Sequence, residues 1–308
     1  MKVLLTGASS FTGYWFAHAL HARGAHVVAP LLKSAASYTE GIRAERVRRL
    51  AAVAEIVDAA PFGSERFLGL ASSGGFDLLC HHAARVGDYR SPDFDIPGAL
   101  ADNTRNLRAV LEALGKRGLK GVVLTGSFFE PGEGAGEAPL VAFSAYGLSK
   151  GLTAAVVSHR CREAGLPYAK FVIPNPFGPL EEPRFCAYLV RTWKKGETAR
   201  VNTPDYVRDN IHVGLLARAY AKFAAETAAG AGRARLNPSG YVESQGAFAQ
   251  RFAAAMRPRL GLECALELAA QTDFSEPMMR VNFDSAARYV GEWDEGKAWD
   301  EVAEAQKA

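Results

Sequence analysis

The sequence predicts an α/β protein, a doubly wound parallel sheet followed by a smaller mixed α/β cap at the C-terminal end. Three observations predict it. Short runs rich in Val, Leu and Ile alternate with longer helical patterns over the first 180 residues. The first such run passes directly into a glycine-bearing turn and then a helix. After Asn175-Pro176-Phe177-Gly178-Pro179 the strands become short and isolated. Continuous apolar strands alternating with helices describe a parallel sheet covered on both faces.

The elements follow in order. Val3 to Thr6 reads as a strand, and Thr12 to Ala22 as a helix. Ala25 to Leu32 is a strand, then Gly41 to Ala54 a helix with Arg and Glu on its wet face. Short strands follow at Glu55 to Val57 and Asp77 to His82. A helix is expected from Ile96 to Leu114 and a strand from Leu119 to Thr125. Phe143 to Ala164 is a long helix ended by Gly165 and Pro167, and Tyr168 to Ile173 the next strand. Beyond residue 175, strands are expected near Thr198 to Val201, Asn210 to His212 and Ala234 to Asn237. Helices at Phe185 to Lys195, Leu215 to Ala228 and Gln245 to Met256 separate them. Residues 1–175 form one unit on this reading. Residues 176–308 form a smaller substrate-binding region, from which the chain is free to re-enter the first.

The bulk numbers exclude several classes. A net charge of +3 from 36 basic and 33 acidic side chains is too weak a bias for nucleic acid or an anionic membrane. No run approaches the ~18 apolar residues of a membrane helix, and the apolar run at Val3 is too short for a signal peptide. Cys80, Cys161, Cys186 and Cys264 lack C-x-x-C spacing and an accompanying His cluster, so no metal site is expected. Scattered cysteines fit a reducing, cytoplasmic setting.

The turn Thr6-Gly7-Ala8-Ser9-Ser10-Phe11-Thr12-Gly13 lies between a strand and a helix. Gly7 permits a tight turn, Gly13 permits close packing of the helix on the sheet, and the helix N-terminus offers free N–H groups to a pyrophosphate. Gly7, Ser9, Ser10, Phe11, Thr12 and Gly13 are therefore candidate cofactor residues in a Rossmann-type NAD(P) site. Ser10 stands where a middle glycine is usual. NAD enzymes place a carboxylate after the second strand; Pro30-Leu31-Leu32-Lys33 has none, and Lys33 suits a 2′-phosphate, which favours NADP over NAD. Asp58, after the third strand, is a candidate acceptor for the adenine amino group.

Tyr146 and Lys150 are four residues apart and share one helix face. A free tyrosine, at a pKa of about 10, is a poor base at neutral pH; a neighbouring ammonium and a nicotinamide cation favour the phenolate. Lys150 is also placed to hydrogen-bond the nicotinamide ribose. Ser127, at the end of the preceding strand, supplies a hydroxyl to polarise a carbonyl or orient an alcohol, with Thr125 the alternative. Consecutive His81 and His82 point to opposite faces of a strand and suit no shared metal.

On these residues the chain resembles the extended short-chain dehydrogenase/reductase superfamily, in its sugar-nucleotide epimerase, dehydratase and reductase branch. The glycine loop, His82-Ala83-Ala84, Asn103, Ser127, Tyr146/Lys150, Asn175-x-x-Gly178-Pro179 and Arg208-Asp209-Asn210-Ile211-His212-Val213 follow the family's order. The resemblance implies a Ser127/Tyr146/Lys150 catalytic triad, with Ala83 and Ala84 lining the cofactor cleft and Asn103 bracing the active-site helix. It implies Asn175 at the substrate or nicotinamide side, Arg208 on a nucleotide diphosphate, and a homodimer through helices 96–114 and 143–164.

There are departures. Phe128 and Phe129 occupy the places of the dehydratases' Asp-Glu pair, so 4,6-dehydration is not expected. Val172 stands where an arginine is usual, and Arg280 is out of register with the second diphosphate arginine. The expected activity is an NAD(P)-dependent epimerase or ketoreductase of a nucleotide-activated sugar. The alternatives are an NADPH-dependent reductase or dehydrogenase of a small non-nucleotide substrate, and a non-catalytic NADP-binding sensor.

Overall fold

The computed structural model describes residues 1–89 and 91–307. In chain order its elements are β1 (Lys2–Leu5), α1 (Phe11–Ala22), β2 (His26–Pro30), α2 (Gly41–Leu50), β3 (Glu55–Val57), α3 (Glu65–Ser73), β4 (Leu78–His81), α4 (Ile96–Asn103), α5 (Leu107–Gly115), β5 (Gly121–Ser127), β6 (Ala135–Gly136), α6 (Ala145–Glu163), β7 (Tyr168–Ile173) and β8 (Asn175–Phe177). There follow α7 (Phe185–Lys194), β9 (Ala199–Val201), β10 (Val207–His212), α8 (Val213–Ala228), β11 (Arg235–Leu236), β12 (Pro238–Ser239), β13 (Tyr241–Ser244), α9 (Gln245–Leu260), β14 (Leu266–Leu268), β15 (Arg280–Val281), β16 (Asp284–Ser285), α10 (Ala286–Val290) and α11 (Glu295–Lys307).

Seven strands form one parallel sheet in the order β11-β7-β5-β4-β1-β2-β3. From β1 the chain runs outward to β3, then crosses to β4 on the other side. The sheet therefore changes direction between β1 and β4, and the crevice outside their C-terminal ends is where such sheets take ligands. Strands β4 and β5 are buried along their whole length, which explains their unbroken apolar runs. One face is covered by α1, α2 and α8 around Phe16, Leu20, Tyr220 and Phe223; the other by α3, α5 and α6 around Phe67, Val110, Leu114 and Val157. A third cluster, with Leu189, Trp193, Phe248, Phe252 and Trp299, makes the core of the cap. Strand β8 joins β10 and β13 in a separate three-stranded sheet.

Several expectations need correction. The single helix expected over 96–114 is two, because Asn106 adopts φ 51 and its Nδ2 donates to the Gly63 carbonyl. Asparagine tolerates that left-handed turn. The long helix begins at Ala145 rather than Phe143, because Ser144 caps it by accepting from Gly147 N. Helix α2 does not turn all its arginines to water: Arg46 lies on the buried stripe with Val47 and Leu50. Helices α3 and α11 were not expected. Each has a capping side chain, Ser64 accepting from Phe67 N and Asp294 accepting from Lys297 N. Among the described residues no helix is long and apolar enough to cross a membrane.

Candidate active site

The glycine loop joins β1 to α1 at the point where the sheet changes direction. Gly7 has φ 75, and a side chain there would meet Ala83 N at 2.8 Å; one at Gly13 would run into the Gly7 carbonyl. These contacts bring Gly7, Gly13 and Ala83 into one tight cradle, with the N-terminus of α1 opening onto it. Both features fit a bound dinucleotide. Ser10 is accommodated as the N-cap of α1. Its Oγ donates to the Gly7 carbonyl at 2.8 Å and accepts from Gly13 N at 3.1 Å.

A polar network carries this loop to α6. His82 Nε2 lies 3.0 Å from both Ser10 Oγ and Thr12 Oγ1. Thr6 Oγ1 accepts from the N–H groups of His82 and Ala83, so its own proton faces His81 Nδ1, 3.1 Å away. The other ring nitrogen of His81 then carries the hydrogen and donates to the Asn103 carbonyl at 2.9 Å. Asn103 Nδ2 in turn donates to Thr153 Oγ1 on α6. Burial pushes His81 down to about 4 and His82 down to about 3, so both rings are neutral. The two rings face opposite sides of the strand and hold different partners.

Ser127 ends β5, and Tyr146 and Lys150 lie one turn apart on α6. Lys150 is buried, and its Nζ donates to the Thr125 carbonyl at 2.6 Å. Burial lowers its pKa while the Glu130 carboxylate works against that shift. The Tyr146 ring packs edge-on to Tyr89 and Phe94. Burial, with Glu130 second, pushes its hydroxyl up to about 12.

Glu130 had no assigned role in the sequence. It is wholly buried, accepts from Ser127 N at 2.7 Å through Oε1, and pairs through Oε2 with Lys170 of β7 at 2.5 Å. Lys170 also donates to Glu133 at 2.7 Å. A buried charge pair thus holds the backbone of Ser127. Its signal in the sequence was a lysine in an otherwise apolar strand.

The remaining candidates lie around this centre. Lys33 is exposed just past the end of β2. Asp58, past β3, accepts from Ala35 N at 2.7 Å and from Ser34 Oγ at 3.4 Å, so it ties down the segment after β2. Ala84 lies beyond β4, and Asn175 opens β8 opposite Asn210 of β10. Arg208 of β10 is buried and largely spoken for. Its Nη1 donates to the Val207 and Pro277 carbonyls, and its Nη2 pairs with Glu276 at 2.8 Å. Its guanidinium also lies over Tyr206 and Phe143, at 4.5 and 5.3 Å. Arg280 stacks on Phe143 as well, at 5.0 Å, and donates to the carbonyls of Phe128, Glu130, Glu133 and Val141. Phe129 stacks on Phe143 with centroids 4.7 Å apart. The two phenylalanines noted in the sequence therefore build an aromatic wall beside α6.

Residues 3–237 match the profile of the NAD dependent epimerase/dehydratase family. No curated protein sequence matches the chain. Among solved structures, a UDP-glucuronic acid 4-epimerase from Bacillus cereus in complex with NAD and a fluorinated UDP-glucuronic acid is similar. It is 17% identical, with 100% of this chain and 99% of that chain covered and a TM-score of 0.76. A dTDP-glucose 4,6-dehydratase from Streptomyces venezuelae, with NAD bound, is 18% identical over 100% of this chain and 97% of that one, with a TM-score of 0.72. A UDP-glucose 4-epimerase from Stenotrophomonas maltophila, with NAD and a formylated UDP-arabinopyranose, is 19% identical over 100% and 98%, at 0.72.

Proposed function

The chain belongs to the NAD dependent epimerase/dehydratase family, and from that premise we propose that it is an NAD(P)-dependent enzyme of the extended short-chain dehydrogenase/reductase type. Its substrate is a nucleotide-activated sugar, and its reaction is epimerisation or ketoreduction at a hydroxyl-bearing carbon. The observation that carries this reading is the tie from Lys150 on α6 to Thr125, which sets Tyr146 and Lys150 beside the strand end that bears Ser127.

When bound, the nicotinamide accepts or supplies the hydride. Tyr146 takes the proton of the alcohol, or returns it to the ketone, through Oη. With its pKa pushed up to about 12, the free side chain is a proton donor at neutral pH. The fixed Lys150 ammonium favours the phenolate in the forward direction. Ser127 Oγ holds the substrate oxygen, and its strand end is kept in place by Glu130. Phe128 and Phe129 carry no ionisable group and cannot serve the acid–base step of a 4,6-dehydration. The three similar solved structures described above hold NAD; Lys33, with no carboxylate beside it, is the feature of this chain that favours NADP. Leu148 and Leu152, exposed one turn apart on α6, offer an apolar face for a homodimer through α5 and α6. X-ray scattering of the purified chain checks this.

A panel of UDP- and dTDP-sugars tests the reading. The wild type is expected to interconvert or reduce at least one of them, and Tyr146→Phe to abolish that turnover. One observation favours a second reading, a small substrate without a nucleotide: Glu276 and three backbone carbonyls already engage Arg208. Unchanged turnover of the best nucleotide sugar in Arg208→Ala would take Arg208 out of the diphosphate site; turnover of a small ketone or alcohol together with none of the nucleotide sugars would decide for the small substrate.

A further inference from the structure

One arginine joins the glycine loop to the segment that leaves β8. Arg46 of α2 has no exposed surface. Its Nε donates to the Ser9 carbonyl of the glycine loop at 3.1 Å. Its Nη1 donates to the Leu180 carbonyl at 2.8 Å, and its Nη2 pairs with Glu182 Oε1 at 2.5 Å. Leu180 and Glu182 lie in the segment that leaves β8, more than 130 residues away in sequence. From α1, Trp15 Nε1 donates to the Pro179 carbonyl of the same segment at 3.0 Å. Two helices beside the glycine loop therefore grip one short strap.

The strap is not relaxed. Leu180 sits at φ 65, a left-handed conformation that residues with a Cβ rarely adopt, and Gly178 sits at φ 143. Glu181 Oε2 accepts from Gly178 N at 3.3 Å, and burial pushes that carboxyl up to about 8. Glu182 is about one-third exposed on its side chain, so the ion pair lies where it opens to water. A buried guanidinium is tolerated only when its donors are matched, and every partner of Arg46 belongs to the glycine loop or to the strap. An apolar side chain would fill the stripe of α2 equally well; the arginine makes sense as a fastener.

We infer that Arg46, Glu182 and Trp15 form a clasp between the glycine loop and the Pro179–Glu182 strap, and that this clasp sets how long the dinucleotide stays bound. The inference rests on the reading of the glycine loop as an NAD(P) site. It also deepens that reading. A reductase must exchange its spent cofactor in every cycle, whereas an epimerase recovers its hydride and needs no exchange. A clasped cofactor belongs to the second kind of cycle.

The test measures release of NAD and NADP from the full-length chain, by rapid dilution and by the nucleotide retained after purification. Arg46→Lys keeps the charge and loses the three-way geometry. Glu182→Gln and Trp15→Phe each remove one fastening near the surface and guard against an Arg46 variant that does not fold. Release is expected to quicken by roughly three- to tenfold in Glu182→Gln and Trp15→Phe, and by more in Arg46→Lys, since affinity changes within one site fall mainly on the off-rate. Glu182→Gln should cost some stability, because Arg46 loses its only carboxylate, so Trp15→Phe, which leaves no buried charge unpaired, is the control: its apo melting temperature should stay near the wild-type value while its release quickens, a pair of results that a purely structural role would not give. Equal release rates in wild type and variants, with binding retained, overturn the clasp and leave the proposed function standing. A wild-type chain that binds neither NAD nor NADP overturns both.

Discussion

Lys150 Nζ lies 2.6 Å from the carbonyl oxygen of Thr125 and donates to it, so a lysine of α6 is fastened to the strand that ends in Ser127. The same side chain thus serves as cation and as tether. Lys150→Met should lower kcat by about 100-fold or more, and Tyr146→Phe by roughly 10²–10⁴-fold, the range for losing a general acid–base group. Tyr146→Phe should retain its cofactor affinity. Steady-state kinetics with a cofactor titration checks both, and a Tyr146→Phe enzyme at wild-type kcat would remove the tyrosine from the mechanism.

Glu130 places a negative charge near Tyr146 and raises its pKa. Turnover that needs the phenolate increases as pH approaches that value. Glu130→Gln should therefore move the rising limb of kcat against pH to lower pH. It should also destabilise the fold, by up to about 3 kcal/mol, because Lys170 loses one of its two buried partners. A limb that stays in place would show that Glu130 acts only as a strut.

Gly13→Ala directs a Cβ into the Gly7 carbonyl. Overpacking of this kind costs about 1–3 kcal/mol, and here the strain falls on the cofactor loop. The expected result is loss of measurable NAD and NADP binding in a chain that still melts cooperatively.

Lys33→Glu replaces the cation past β2 with the carboxylate that suits a ribose hydroxyl. NADP affinity should fall about tenfold or more, which corresponds to about 1.4 kcal/mol. NAD affinity should hold or improve. Fluorescence titration with NADPH and NADH measures the ratio; an unchanged ratio would dismiss Lys33 as the discriminator.

His81 is buried and held down at about 4, against an ordinary value near 6.5. Its folded pKa is depressed, so its contribution is present above pH 6.5 and is lost as pH falls through 6.5 toward 4, where the unfolded chain binds a proton that the folded one refuses. The stability difference between wild type and His81→Leu should therefore shrink by about 1.4 kcal/mol per pH unit across that window. Urea unfolding at a series of pH values reads the slope, and a flat difference would mean that His81 charges in place.

The sequence was informative where one residue's own chemistry restricts the backbone or the reaction. Gly7 and Gly13 announced a close approach that the structure contains, and β4 and β5 announced burial by having no polar face. That Tyr146 and Lys150 lie one turn apart on one helix was readable from their spacing. Arg46 and Glu130 were not. An arginine in an amphipathic helix is ordinarily wet, and a glutamate before proline is ordinarily a loop residue. Partners from 37 to 136 residues away reveal the first, and Lys170 on β7 reveals the second. The short strands of the cap were similarly hidden, since two-residue pairings such as β15 on β6 leave no periodicity to read.

Strand β11 completes the main sheet by pairing Arg235 and Leu236 with Lys170 and Phe171 of β7, and Lys170 N donates to the Ala234 carbonyl. A chain growing on the ribosome releases β7 well before it releases β11. At about 5–20 residues per second, the roughly sixty residues between them take roughly 3–12 s to emerge. During that time the outer edge of β7 has unpaired N–H and C=O groups and offers a template to any other extended chain. Slowing elongation within residues 174–234 should raise the aggregated fraction during synthesis, and a binder that covers that edge should lower it.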